Sequence, residues 1–153
     1  MRIHILCVSK RPRDWVAKGS DEYLKRLTGH VDISVREIAP VQHSSTTTQR
    51  DKEAERLLKA CPRGAYQIAL DERSQQWTTK ELSVNLERWR SNQADVACFI
   101  GGAEGLADSI VSGSDCQWSL SRLTLPHQLV RVILIEQLYR AWSVLQNHPY
   151  HRA

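Results

Sequence analysis

What this chain lacks narrows its class. Its unbroken apolar runs are short: residues 132–135 form one, against the roughly 20 apolar residues of a membrane-spanning helix. The opening MRIHILCVSK holds too brief an apolar stretch for a secretory signal. The four cysteines, Cys7, Cys61, Cys98 and Cys116, lie far apart, so no CxxC zinc or redox pattern exists. Cys7, Cys61 and Cys98 stand beside apolar residues, where a reduced thiol behaves as a small hydrophobe. No repeat, low-complexity tract or linker divides the chain, and residues 1–153 are expected to form one domain. These absences lead to the expectation of a soluble cytoplasmic protein.

At 153 residues, with 41% apolar and 25% charged side chains, a chain can build a core without disulfides. The net charge of +4 and pI near 9.0 tolerate a polyanionic partner without proving one. Residues 3–8 read as a buried strand. Residues 14–27 read as a helix, with Trp15, Val16, Tyr23, Leu24 and Leu27 at helical spacing. Residues 31–38 alternate as a half-wet strand. PVQHSSTTTQR, residues 40–50, is polar and aperiodic and reads as a mobile loop. The pattern continues with a helix over 51–60, a strand over 65–70, a helix over 79–90 and a strand over 96–100. A turn over 101–105, a short helix over 106–111 and extended pieces at 118–120 and 123–125 follow. Pro126 then opens a helix reaching about residue 146. Such alternation implies an α/β fold, a mainly parallel sheet with helices on both faces. Ligands in such folds lie beyond the carboxyl ends of strands, which directs attention to the loops after Leu70, after Ile100 and around 120–126.

Several stretches carry chemistry. FIGGAEGL, residues 99–106, has the spacing GGxxG, so it is neither the GxGxxG dinucleotide fingerprint nor a Walker loop. Paired glycines after a strand allow close approach of a small ligand, or simply a tight turn. In QWSLSRLTLPHQLVR, residues 117–131, Pro126 suits a first helical turn, Thr124 is a candidate cap, and His127 and Arg131 fall one turn apart. The last helix is apolar nearly all round, which implies cover by a partner subunit. On it, Glu136 and Arg140 have i, i+4 spacing. The ending NHPYHRA packs His148, Tyr150, His151 and Arg152 together, a set suited to base stacking and phosphate contact. The two tail imidazoles have no acidic or thiol ligands nearby in sequence, and no metal is expected.

Taken together, IGGAEGL, WSLSRLTLPHQLVRVILIEQLYRAW and the terminal NHPYHR resemble the RlmH family, SPOUT-class methyltransferases of large-subunit ribosomal RNA. The likeness runs over essentially the whole chain, DWVAKGSDEYLKRL matching the family's first helix. The resemblance implies a SPOUT-type α/β fold with a C-terminal trefoil knot, a homodimer, and S-adenosyl-L-methionine as cofactor. It implies methylation of N3 of a pseudouridine in helix 69 of 23S rRNA within the assembled ribosome. Carried over residue by residue, it assigns the cofactor to Leu70, to Gly101 and Gly102, and to Leu120, Ser121, Arg122, Leu123, Thr124 and Leu125. Ser9 stands where family members carry glycine before the retained Lys10, and Ala103 where proline or serine is common.

Methyl transfer to a ring nitrogen needs alignment and a proton acceptor, and no metal. His127, His148, His151 and Glu136 are the candidate acceptors, Glu136 only if Arg140 leaves it free. Arg131 and Arg152 are expected to meet phosphates, and Tyr150 to stack on a base. The tail is expected to close over the methyl pocket, that of the other subunit included, and its deletion to leave the thermal midpoint little changed. The rival readings are a SPOUT methyltransferase acting on another RNA and a non-catalytic ribosome-binding factor.

Overall fold

The computed structural model describes residues 1–152. Five strands, β1 (Arg2–Val8), β2 (Asp32–Ile38), β3 (Tyr66–Gln76), β4 (Val96–Ile100) and β5 (Cys116–Ser119), form one sheet in the order β2-β1-β4-β3-β5. Every pairing is parallel. The helices are α1 (Asp14–Leu27), α2 (Thr46–Ala60), α3 (Thr79–Asn92), α4 (Asp108–Gly113) and α5 (His127–Leu145).

The central strands are apolar on both sides because both are covered. On β1, Ile3, Ile5 and Cys7 face one core, while Leu6 and Val8 face the other. On β4, Val96, Cys98 and Ile100 join the first core, and Ala97 and Phe99 the second. The first core is roofed by α1, α3 and α5 through Leu27, Leu82, Leu86, Leu134, Ile135 and Leu138. The second is roofed by α2 and α4 through Ala54, Leu57 and Ile110. Each fully buried Leu or Ile contributes about 1.5–3 kcal/mol. The α/β class with a covered parallel sheet is therefore as the alternation implied.

Four local expectations are corrected. The polar stretch 40–50 is not all loop: α2 begins at Thr46, with the Ser45 side chain accepting the Thr48 N–H at 3.2 Å. The remaining loop is tied down, since Arg56 donates to the Ala39 carbonyl at 2.7 Å and the buried Glu53 accepts the Val41 N–H at 3.1 Å. Strand β3 runs to Gln76, but both Leu70 and Gln75 pair with Trp118, so residues 71–74 bulge out of the sheet. Residues 123–125 are not extended strand; β5 ends at Ser119. Thr124 does not cap α5, whose N-cap is Pro126 with no side-chain bond.

Candidate functional site

The bulge within β3 and the carboxyl ends of β4 and β5 open on a single cavity of about 720 Å³. That volume lies inside the roughly 300–1,000 Å³ usual for small-ligand sites. Its first wall is Leu70 with the bulge Asp71, Glu72 and Arg73. Bulges re-aim side chains next to functional sites, and this one turns charged groups onto the pocket. Asp71 and Arg73 pair at 3.0 Å, and the guanidinium holds the Asp71 carboxyl below its ordinary pKa against the upward push of burial.

The second wall is the glycine turn. Gly105, at φ 78°, closes it through its N–H to the Gly102 carbonyl at 3.1 Å. A Cβ on Gly101 would come within 2.5 Å of the Gly105 carbonyl carbon, so no side chain fits there. The third wall is the β5–α5 loop. The Ser119 hydroxyl donates to the Ser121 carbonyl at 2.7 Å and lies 3.1 Å from the Glu72 carbonyl, joining this loop to the bulge. Ser121 Oγ accepts the Leu123 N–H at 2.9 Å.

Leu70, Gly101, Gly102, Leu120, Ser121, Leu123, Thr124 and Leu125 all line the cavity; Arg122 does not, and is exposed. His127, in the first turn of α5, lines it too. Burial, with the nearby Arg131 and Arg13 charges, lowers its pKa below the ordinary 6.5. It is therefore a neutral imidazole near pH 7, able to accept a proton.

Arg131 is not where phosphate contact was expected. It is buried, and both its terminal nitrogens pair with the carboxylate of Glu37 on β2, Nη2 to Oε2 at 2.7 Å. A bidentate guanidinium–carboxylate pair removes this cation from any ligand. Beneath it the Cys7 thiol is pushed up to about 12 by burial. Cys98 is likewise raised to about 12, and none of the four cysteines is bridged.

The other candidates gather at the far end of α5. Glu136 is taken: Arg140 Nε donates to its Oε1 at 2.9 Å, Gln137 Nε2 to its Oε2 at 2.7 Å, and the Tyr150 hydroxyl to Oε1 at 2.9 Å. Burial and the Glu136 and Tyr23 neighbours raise the Tyr150 phenol above its ordinary pKa. Its ring sits 4.6 Å from that of Tyr139 and 6.5 Å, edge-on, from that of Tyr23, under the Arg140 guanidinium. The His148 N–H donates to the Ser143 carbonyl at 2.9 Å, and its ring lies 5.8 Å from Trp142. His151 Nδ1 lies 3.5 Å from Arg140, and Arg152 is exposed. The tail is thus packed on α1 and α5. Glu136 follows His127 by nine residues, about 14 Å along a helix, so within one chain the tail group and the pocket are separated.

Sequence reasoning missed Arg50, which lines the cavity from α2. The signal was Ser45, an N-cap residue ahead of the apolar Ala54 and Leu57, masked by a first turn with no apolar residue. It also missed the Asp71–Arg73 pair, because a bulge leaves no periodicity to read.

Residues 1–151 match the family described as "Predicted SPOUT methyltransferase". The chain is 46% identical to the ribosomal RNA large subunit methyltransferase H of Paraburkholderia phymatum, over 99% of each chain. It is 46% identical to the protein of that name from Burkholderia mallei, over 100% of each. Among solved structures, TrmJ from Z. mobilis superposes with a TM-score of 0.54 at 14% identity, covering 92% of this chain and 70% of that one. A probable methylase family protein from Haemophilus influenzae gives 0.57 at 12%, covering 99% and 70%. At such identities the two structures speak to the fold alone.

Proposed function

The chain belongs to the SPOUT methyltransferases, among the ribosomal RNA large subunit methyltransferase H proteins, and on that premise we propose that it methylates large-subunit ribosomal RNA from S-adenosyl-L-methionine. The finer reading is N3 of a pseudouridine in helix 69 of 23S rRNA in the assembled ribosome, carried out in the cytoplasm by a homodimer of one-domain chains with a C-terminal knot. One observation supports the methyl-transfer reading: three stretches of backbone and an imidazole of lowered pKa converge on one cavity at the β3 bulge and the carboxyl ends of β4 and β5.

The cavity suits a nucleoside. Leu70, Ile100, Leu125 and Val130 offer apolar surface, and Gly101 allows close backbone approach. When bound, S-adenosyl-L-methionine supplies an already activated methyl group. The chain's own task is to hold the loops in place, exclude water and receive the proton that leaves N3. His127 is the acceptor of choice: it is neutral near pH 7 and on the cavity wall, whereas Glu136 is consumed by donors from three side chains. His148, His151 and Arg152 reach a cavity only if it belongs to a second protomer.

A dimer is favoured by the half-buried apolar residues Leu129, Val132 and Ile133 on α5. Beside them α1 comes close at Gly19, and Trp15, one turn earlier, is 52% exposed. The test is transfer of labelled methyl to unmodified ribosomes, free subunits and total tRNA. Label in large-subunit RNA only from assembled ribosomes is the expected result. Label in tRNA, or in nothing despite cofactor binding, would contradict the reading and favour another RNA target or a non-catalytic factor.

A further inference from the structure

Two guanidinium groups line the cavity, and they differ in their partners. Arg73 is held by Asp71 at 3.0 Å. Arg50 has no hydrogen bond or ion pair to any described side chain, and its Nε is buried without a partner. A buried, unsatisfied N–H of a charged group is costly unless something else binds it. Arg50 stands on α2, which covers the opposite sheet face from α5. It therefore approaches the cavity from the side away from the β5–α5 loop, residues 120–125.

We propose that Arg50 binds the α-carboxylate of the methyl donor, so that the donor spans the cavity with its nucleoside on the β5–α5 loop and its amino-acid end at α2. This rests on the donor reading above. The chemistry is selective, because S-adenosyl-L-methionine carries no phosphate and its carboxylate is its one anionic group. A guanidinium with free donors is the group best matched to a carboxylate. The pairing also gives a reason for α2 to begin at Thr46: the extra turn brings Arg50 to the cavity rim.

The test compares S-adenosylhomocysteine, which keeps the amino-acid end, with 5′-methylthioadenosine, which lacks it. Both would be titrated calorimetrically into the wild-type protein, Arg50→Gln and Arg50→Lys, with thermal melts confirming that each variant folds. Wild type should bind S-adenosylhomocysteine more tightly. Arg50→Gln should lose roughly 10- to 100-fold for it while holding 5′-methylthioadenosine within about twofold, and Arg50→Lys should recover part of the loss. Equal losses for both ligands, or no loss for S-adenosylhomocysteine, would overturn the assignment. Unchanged affinity for both ligands with weakened ribosome retention would overturn it in favour of a phosphate contact. Wild type binding neither ligand would instead sink the donor reading itself.

Discussion

At the scale of single residues, two ionisable groups one turn apart on α5 have opposite destinies. His127 faces the cavity and is kept neutral; Arg131 is buried and held by Glu37. Glu37→Gln would leave a buried guanidinium without its counter-charge. We expect it to destabilise the fold by about 3 kcal/mol in urea unfolding, since breaking a buried pair from one side costs more than the pair itself contributes. No change in the midpoint would mean that Arg131 finds water. For His127, the sign of the shift sets the pH dependence. Its pKa is lowered from 6.5, so the accepting neutral form persists to below that pH, and the turnover rate should decline only on further acidification. His127→Gln should cut turnover by roughly 100-fold or more and abolish that acid limb. Affinity for S-adenosylhomocysteine should stay within a few-fold. Unaltered turnover would remove His127 from the chemistry.

At the scale of elements, the cavity depends on turns more than on strands. The glycine turn leaves no space at Gly101, where an added methyl meets main chain that cannot rotate away. Gly101→Ala is expected to cost about 1–3 kcal/mol and to abolish nucleoside binding. A variant that folds and binds like wild type would show that the turn relaxes freely. The tail is also an element in its own right. With Tyr150 bonded to Glu136 and packed among Tyr23, Tyr139 and Arg140, it is built into the α1–α5 layer. Removing residues 148–153 should therefore lower the thermal midpoint by about 5 °C, aromatic pairs and lost burial together being worth a couple of kcal/mol. A midpoint unchanged within a degree would mean that the tail contributes function without stability.

At the scale of the whole molecule, the sheet and its two covers were legible from alternating apolar runs, because burial on both faces writes itself into β1 and β4 residue by residue. That a cavity would open beyond strand ends was legible from the α/β alternation itself. What escaped was set by tertiary contact. The first turn of α2 is polar all round, the bulge after Leu70 has no period, and Arg131 reads as a helix-face cation until Glu37 of β2 is brought beside it. The tail's residue types were legible, but not their anchorage about 14 Å along α5 from the pocket of their own chain. On that separation rests the proposed dimeric active unit, in which each cavity is closed by the other protomer's tail. The most direct measurement uses mixed dimers, co-expressed with distinct tags, of a His127→Gln chain and a chain ending at Asn147. Each parent homodimer should be inactive, while the mixed dimer should keep one intact site and about half of wild-type methyl transfer. A mixed dimer as inactive as its parents would mean that cavity and tail act within one chain, and would contradict the account.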